Sequence, residues 1–136
     1  MLRIKEGHVD EMIVHALKEY PNECCGVLAG ADEEGKHLYQ TTNVVKSPVR
    51  YQIDPQEQLD AELDAEKNGW EYLAFYHSHT RGHVGLSSTD VRMALDSGWL
   101  DIYYLLVLLH DRDEPRLNAY RVTATGEVVE EPFEVV

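Results

Sequence analysis

Between residues 8 and 20 the apolar positions Val9, Met12, Ile13, Ala16, Leu17 and Tyr20 recur at steps of three, one, three, one and three. That is the spacing of one face of an α-helix, and Pro21 ends it. Two short apolar runs follow, CCGVLAG and HLYQTTNVV, which read as strands joined through a hairpin loop at ADEEGK. A further short strand is expected at RYQI. Asp54 ahead of Pro55 opens a second helix over 55–68, an N-cap residue followed by proline at the first helical position, and Gly69 marks its end. This helix is expected to bury little beyond Leu59 and Leu63. Its acidic face of Glu57, Asp60, Glu62, Asp64 and Glu66 reads as a solvated surface.

The second half alternates in the same way. Trp70 to Tyr76 is an aromatic-rich strand that runs directly into His77, and His79 to Leu86 is a polar loop. SSTDVRMALDSG has the cap, the Val91, Ala94 and Leu95 stripe and the glycine stop of a short helix over 88–97. Ile102 to Leu109 is too uniformly apolar for a strand wet on one face, so it belongs at the centre of a sheet. LNAYRVT and EVVEEPFEVV are closing strands, and Pro132 places the last at an edge. The pattern predicts an α+β fold: a mixed, twisted sheet with the helix at 8–20 on one side and the helices at 55–68 and 88–97 on the other. No repeat, low-complexity tract or linker interrupts it, so residues 1–136 are expected to form a single domain.

Charge narrows the partners. Twelve Lys and Arg against 25 Asp and Glu give a net charge of -13, which would repel a polyanionic backbone, so nucleic acid is excluded as a partner. No apolar run approaches the roughly 20 residues of a membrane span, and the N-terminus lacks an apolar signal core. Cys24 and Cys25 are neighbours and cannot staple distant segments. A soluble, cytoplasmic protein is expected.

Candidate chemistry is concentrated in His77, Ser78 and His79, followed after ten residues by Asp90. Side chains two apart on a strand face the same way, so both imidazoles can address one point. Two nitrogens and one carboxylate oxygen leave a fourth tetrahedral position open, the layout of a catalytic rather than a structural zinc site. Singly, each feature has a plain alternative: an HxH pair can be polar residues at a strand end, and Ser87 with Asp90 matches a helix capping box. Glu23 is harder to dismiss, because a carboxylate entering the apolar strand after PNE has little structural reason to be there. His83 and His110 read as a loop histidine and a strand end, and the two cysteines as small buried hydrophobes. Asn43 is a candidate organiser of the site from a second strand.

Taken together, Glu23, His77 Ser78 His79, Ser87 and Asp90 resemble the signature of the JAMM, or MPN-plus, zinc metalloproteases, and the order of elements resembles that family over about the whole chain. Many members carry proline where Thr80 and Leu86 stand here; HSHT resembles the bacterial stand-alone branch. The resemblance implies a cytidine-deaminase-like sheet and one Zn²⁺ per chain held by His77, His79 and Asp90. It also implies Glu23 as general base and Ser87 as hydrogen-bond donor to the tetrahedral intermediate. A hydroxyl cannot readily cap a helix and serve an oxyanion together, which makes Ser88 the expected cap. The implied substrate is a ubiquitin-like or sulfur carrier protein with a C-terminal Gly-Gly, from which cysteine is released. The alternatives are a deubiquitinase-like isopeptidase, a phage-tail or cell-wall peptidase and a non-catalytic MPN scaffold. A homodimer stays open. A zinc deaminase would need an HxE and a CxxC, and a zincin an HExxH; neither is present.

Overall fold

The computed structural model describes residues 1–82 and 84–136. A three-residue strand that the apolar pattern does not reveal, β1 (Leu2–Ile4), comes first, with Leu2 and Ile4 fully buried. Helix α1 (Glu6–Glu19) follows, then β2 (Cys25–Ala31), β3 (Glu34–Thr41), α2 (Pro55–Lys67), β4 (Glu71–His79), α3 (Ser88–Ser97), β5 (Tyr103–Leu108), β6 (Arg116–Val122), β7 (Val128–Glu131) and β8 (Phe133–Val135).

The strands form one mixed sheet in the order β7-β6-β5-β4-β2-β3-β1-β8. β5 runs parallel to β4 and antiparallel to β6, so it has a neighbour on both edges and buried residues on both faces, as its unbroken apolar run required. β7 and β8 end the sheet on opposite edges yet are separated in sequence only by Pro132. The sheet therefore curls until its two edges are bridged by one proline, and α1 lies in the hollow. Met12 and Ala16 of α1 share a buried cluster with Ile4, Leu28, Leu38, Tyr76, Leu105 and Ala119, which come from six different strands.

The opposite face carries α2 and α3. Ala94 of α3 packs with Val27, Phe75, Tyr104 and Leu106, and α2 approaches β4, β2 and β3. The helices thus lie one on one side and two on the other, as expected. Three local expectations are corrected. Helix α2 buries Ala61 and Ala65, whereas Leu59 and Leu63 are 49% and 56% exposed. Small side chains let the helix sit close to the sheet, and larger ones in those positions would hold it away. RYQI forms no strand, only an isolated bridge between Asn43 and Ile53. The ADEEGK connection is a two-residue turn, with Asp32 and Glu33 at φ 54° and 60° between paired Ala31 and Glu34.

On β2, Gly26 is required by close approach: a Cβ there would overlap the Tyr76 ring and the Tyr39 carbonyl. Among the described residues, no helix is long and apolar enough to cross a membrane.

Candidate metal centre

Strand β4 carries His77 and His79 on the face shared with Phe75, toward α3. Ser78 between them points to the other face, where its Oγ accepts the Cys24 N–H at 2.8 Å. Cys25 pairs with His77 across β2 and β4. Extending that register by two residues brings Glu23 alongside His79, on the same face.

Asp90 arrives from α3. The helix begins with a complete capping box: Ser87 Oγ accepts the Asp90 N–H at 3.1 Å and Asp90 Oδ2 accepts the Ser87 N–H at 2.9 Å. Ser87, not Ser88, is therefore the cap, and the supposed conflict between its two roles disappears. Capping uses a lone pair of the hydroxyl, whereas serving an oxyanion uses its proton, which the cap leaves free.

The same Asp90 Oδ2 lies 3.2 Å from His77 Nε2 and 3.0 Å from His79 Nε2, and the two nitrogens are 3.2 Å apart. Ligand atoms bound tetrahedrally at about 2.0–2.1 Å are separated by about 3.3–3.4 Å. The three donor atoms already stand near that spacing. Two neutral imidazole nitrogens and one carboxylate oxygen, all buried, suit a divalent metal ion.

The electrostatics point the same way. Burial holds the His77 imidazole below its ordinary pKa of 6.5, which keeps it in the neutral, ligating form. Burial works against ionisation of Asp90, but the electrostatic attraction of His77, with hydrogen bonds from His77, His79 and the Ser87 amide, outweighs it and holds the carboxyl well below its usual range. Glu23 is the opposite case. It is 3% exposed, its Oε1 has no hydrogen-bond partner among the described residues, and burial, aided by the charge of Asp90, pushes it up to about 8. An acid so poised can take and return a proton near neutral pH.

One segment, residues 43–53, holds these groups in place. The Asn43 side-chain amide donates to the Glu23 carbonyl at 3.0 Å and to the Arg50 carbonyl at 3.1 Å, while its Oδ1 accepts the N–H groups of Val45 and Gln52. The Glu23 N–H donates to the Ser47 carbonyl at 2.9 Å, so both backbone polar groups of Glu23 are fixed by this segment. Tyr51 stacks on His77 at 4.3 Å between ring centroids. His77 Nδ1 is buried without a partner among the described residues, so its ring is oriented by stacking and by its Nε2 contacts. Thr80 Oγ1 donates to the Pro48 carbonyl at 3.1 Å, closing the segment against the end of β4.

The fold thus draws Glu23, His77, His79, Ser87 and Asp90 into one neighbourhood from three separate stretches of chain. Sequence reasoning passed over Tyr51 and gave Ser78 no role of its own. An aromatic three residues before the Asp54 and Pro55 helix start was the available signal for the first; nothing short of the register reveals the role of the second. His110 is exposed, with Nε2 2.8 Å from the Gly82 carbonyl, and takes no part in the cluster. His83 lies outside the described residues. Cys24 and Cys25 are buried and burial pushes both thiols up to about 12, so they behave as inert small hydrophobes.

Comparison with known proteins gives a consistent result. Residues 5–123 match the model of the family described as prokaryotic homologs of the JAB domain. The chain is 37% identical over 139 residues to the CysO-cysteine peptidase of Mycobacterium tuberculosis, covering 100% of this chain and 92% of that protein. A solution structure of a protein from Desulfitobacterium hafniense superposes with a TM-score of 0.85 at 31% identity, covering 100% of this chain and 93% of the other. A JAB1/MPN domain protein from Archaeoglobus fulgidus shares the fold, with a TM-score of 0.65 at 19% identity and 99% coverage of both chains.

Proposed function

The chain belongs to the family of prokaryotic homologs of the JAB domain, and from that membership we propose that it is a zinc-dependent peptidase. In this reading it hydrolyses the bond after the C-terminal Gly-Gly of a small sulfur carrier or ubiquitin-like protein and releases cysteine. The observation that carries the reading is the convergence of His77, His79 and Asp90 near the buried Glu23, whose Oε1 has no hydrogen-bond partner among the described residues. The likeness to the mycobacterial CysO-cysteine peptidase over the full chain supports the substrate class. Residues 1–136 act as one domain in the cytoplasm.

The donor set fits zinc: two imidazoles and one carboxylate at tetrahedral spacing, with a side left for substrate. A bound zinc ion would supply Lewis acidity, acidifying water and polarising the scissile carbonyl. Glu23 accepts the proton of the attacking water at a carboxylate oxygen as the water oxygen bonds the carbonyl carbon. It then delivers that proton to the departing nitrogen as the C–N bond breaks, so its carboxylate is regenerated. The Ser87 hydroxyl, its lone pair engaged by the Asp90 amide, directs its proton at the developing oxyanion. Tyr51 and Asn43 hold the imidazole and the base in register.

Incubating the zinc-loaded protein with a Gly-Gly-ending carrier bearing one appended cysteine, followed by intact-mass measurement, should show loss of one cysteine. Degradation of unfolded proteins at many sites with the adduct untouched would replace this reading with a general peptidase.

A further inference from the structure

The chain carries 25 acidic residues in 136, yet residues 41–53 and 78–89 contain none. Both segments border the candidate metal centre through described residues: Asn43, Ser47 and Tyr51 from the first, Thr80 and Ser87 from the second. In place of acids they carry Lys46, Arg50 and Arg81, all exposed. Among the described residues no carboxylate lies within ion-pair distance of any of the three; the ion pairs present involve the N-terminus, Arg3, Lys36, Arg121 and the two clustered histidines. A strongly acidic protein thus has a basic rim at its site.

The rim is tied closely to the reacting groups. Arg50 precedes Tyr51, which stacks on His77, and its carbonyl is held by the same Asn43 amide that holds Glu23. Arg81 follows Thr80, whose hydroxyl joins the two segments at Pro48. Charges farther than about 8–10 Å are largely screened at physiological salt. Close to the site, Lys46, Arg50 and Arg81 together with the carboxyl groups of Glu23 and Asp90 therefore set the local field, rather than the distant acids behind the net charge of -13.

Building on the proposed peptidase reading, we infer that Arg50 and Arg81 recognise the free α-carboxylate of the residue being released. A single amino acid joined through its α-amine to Gly-Gly presents a carboxylate on the residue just beyond the scissile bond, an anion to which the exposed arginines on the segments beside the site are chemically matched. Arginine offers paired N–H donors matched to such a group. A lysine side chain of a folded protein, joined as an isopeptide, presents no carboxylate at that place. The rim would therefore make the enzyme selective for terminal amino-acid adducts over protein conjugates.

The test uses a synthetic peptide ending in Gly-Gly-Cys as the free acid, the same peptide as its C-terminal amide, and the amide with an aspartate placed before the glycines. Cleavage is measured with zinc-loaded wild-type protein and with the Arg50→Gln and Arg81→Gln variants, and binding by fluorescence anisotropy on Glu23→Gln with and without the arginine substitutions. The expected result is that wild type favours the acid over the amide by about tenfold or more in kcat/KM. The preference should shrink at high salt and collapse in both arginine variants. Equal handling of acid and amide by the wild type would overturn the inference, as would a preference that survives both substitutions. Recovery of binding by the upstream aspartate would place the recognised carboxylate on the carrier side, and would overturn it too. If no peptide is cleaved, the peptidase reading fails, and the anisotropy comparison still decides the role of the rim.

Discussion

Ser87 and Asp90 each accept the other's backbone N–H, at 3.1 and 2.9 Å, and the Asp90 oxygen that does so also faces both histidines. Helix cap and metal ligand are therefore one structure. The cap fixes the carboxylate rotamer that the metal would need.

This coupling gives Ser87→Ala two separable effects. Loss of the cap should cost about 1 kcal/mol, seen as a melting temperature lower by a few degrees. Loss of the oxyanion donor should cut turnover by about 10²-fold to 10³-fold, with zinc content unchanged. Ser87→Thr, which keeps both lone pair and proton, should recover most of each. An alanine variant of normal turnover would leave the residue with its capping role alone.

Metal binding should depend on all three donors. His77→Ala, His79→Ala and Asp90→Ala should each purify with little zinc, and chelation should lower the melting temperature of the wild type but not of the variants, because only a bound ligand stabilises by mass action. Both imidazoles must be neutral to ligate, so protons compete as the pH falls below about 6.5. Burial lowers the His77 pKa and so moves its part of that competition to more acid pH. Metal analysis after dialysis across pH 7 to 4 checks this; zinc retained equally by all three alanine variants would remove the assignment.

Glu23→Gln should keep zinc while hydrolysis falls by about 10²-fold to 10⁴-fold, and it should flatten the acidic limb of the activity profile. A stability effect follows with definite sign. Burial raises the carboxyl to about 8 in the folded, metal-free chain, so the folded state holds its proton where the unfolded chain has lost it. The contribution of Glu23 to native stability is then most favourable below the unfolded value near 4.5 and is lost as pH rises from there through about 8. Glutamine cannot ionise. Thermal melts of chelated protein should show little difference between variant and wild type at pH 4 and a growing advantage for Glu23→Gln between pH 6 and 9. The reverse slope would show that Glu23 is not buried as a neutral acid.

Asn43 should act through Glu23. Asn43→Asp keeps the acceptor for Val45 and Gln52 but replaces the donor to the Glu23 carbonyl with an oxygen, so the base should lose its alignment. Turnover is expected to drop about tenfold or more with KM and zinc content little changed. In the Glu23→Gln background the same substitution should add almost nothing, since the base it positions is already gone. Additive losses in that double-mutant cycle would reduce Asn43 to general support of the loop.

Much of this molecule was legible in its residues taken in order. The 3.6-residue stripe of α1, the Asp54 and Pro55 start of α2 and the unbroken apolar run of β5 each follow from local physics: which face must be buried, which backbone angle proline fixes, which strand has no wet side. Strand alternation pairs His77 with His79 and a helix start pairs Ser87 with Asp90, but their grouping with Glu23 was legible only through the resemblance to the JAMM signature. Only the tertiary structure decided the rest. The antiparallel register of Cys25 with His77, continued by two residues, brings Glu23 alongside His79, 56 residues away in sequence; no local rule encodes a register. The burial of Ala61 and Ala65 in place of Leu59 and Leu63 depends on how closely a helix can approach a sheet. The stacking of Tyr51 on His77, the clip from Ser78 to Cys24 and the hold of Asn43 on Glu23 are contacts between segments far apart in sequence that meet only in the folded chain. Sequence specifies such contacts through the whole fold, because their energy arises from atoms brought together across the chain rather than from neighbours along it.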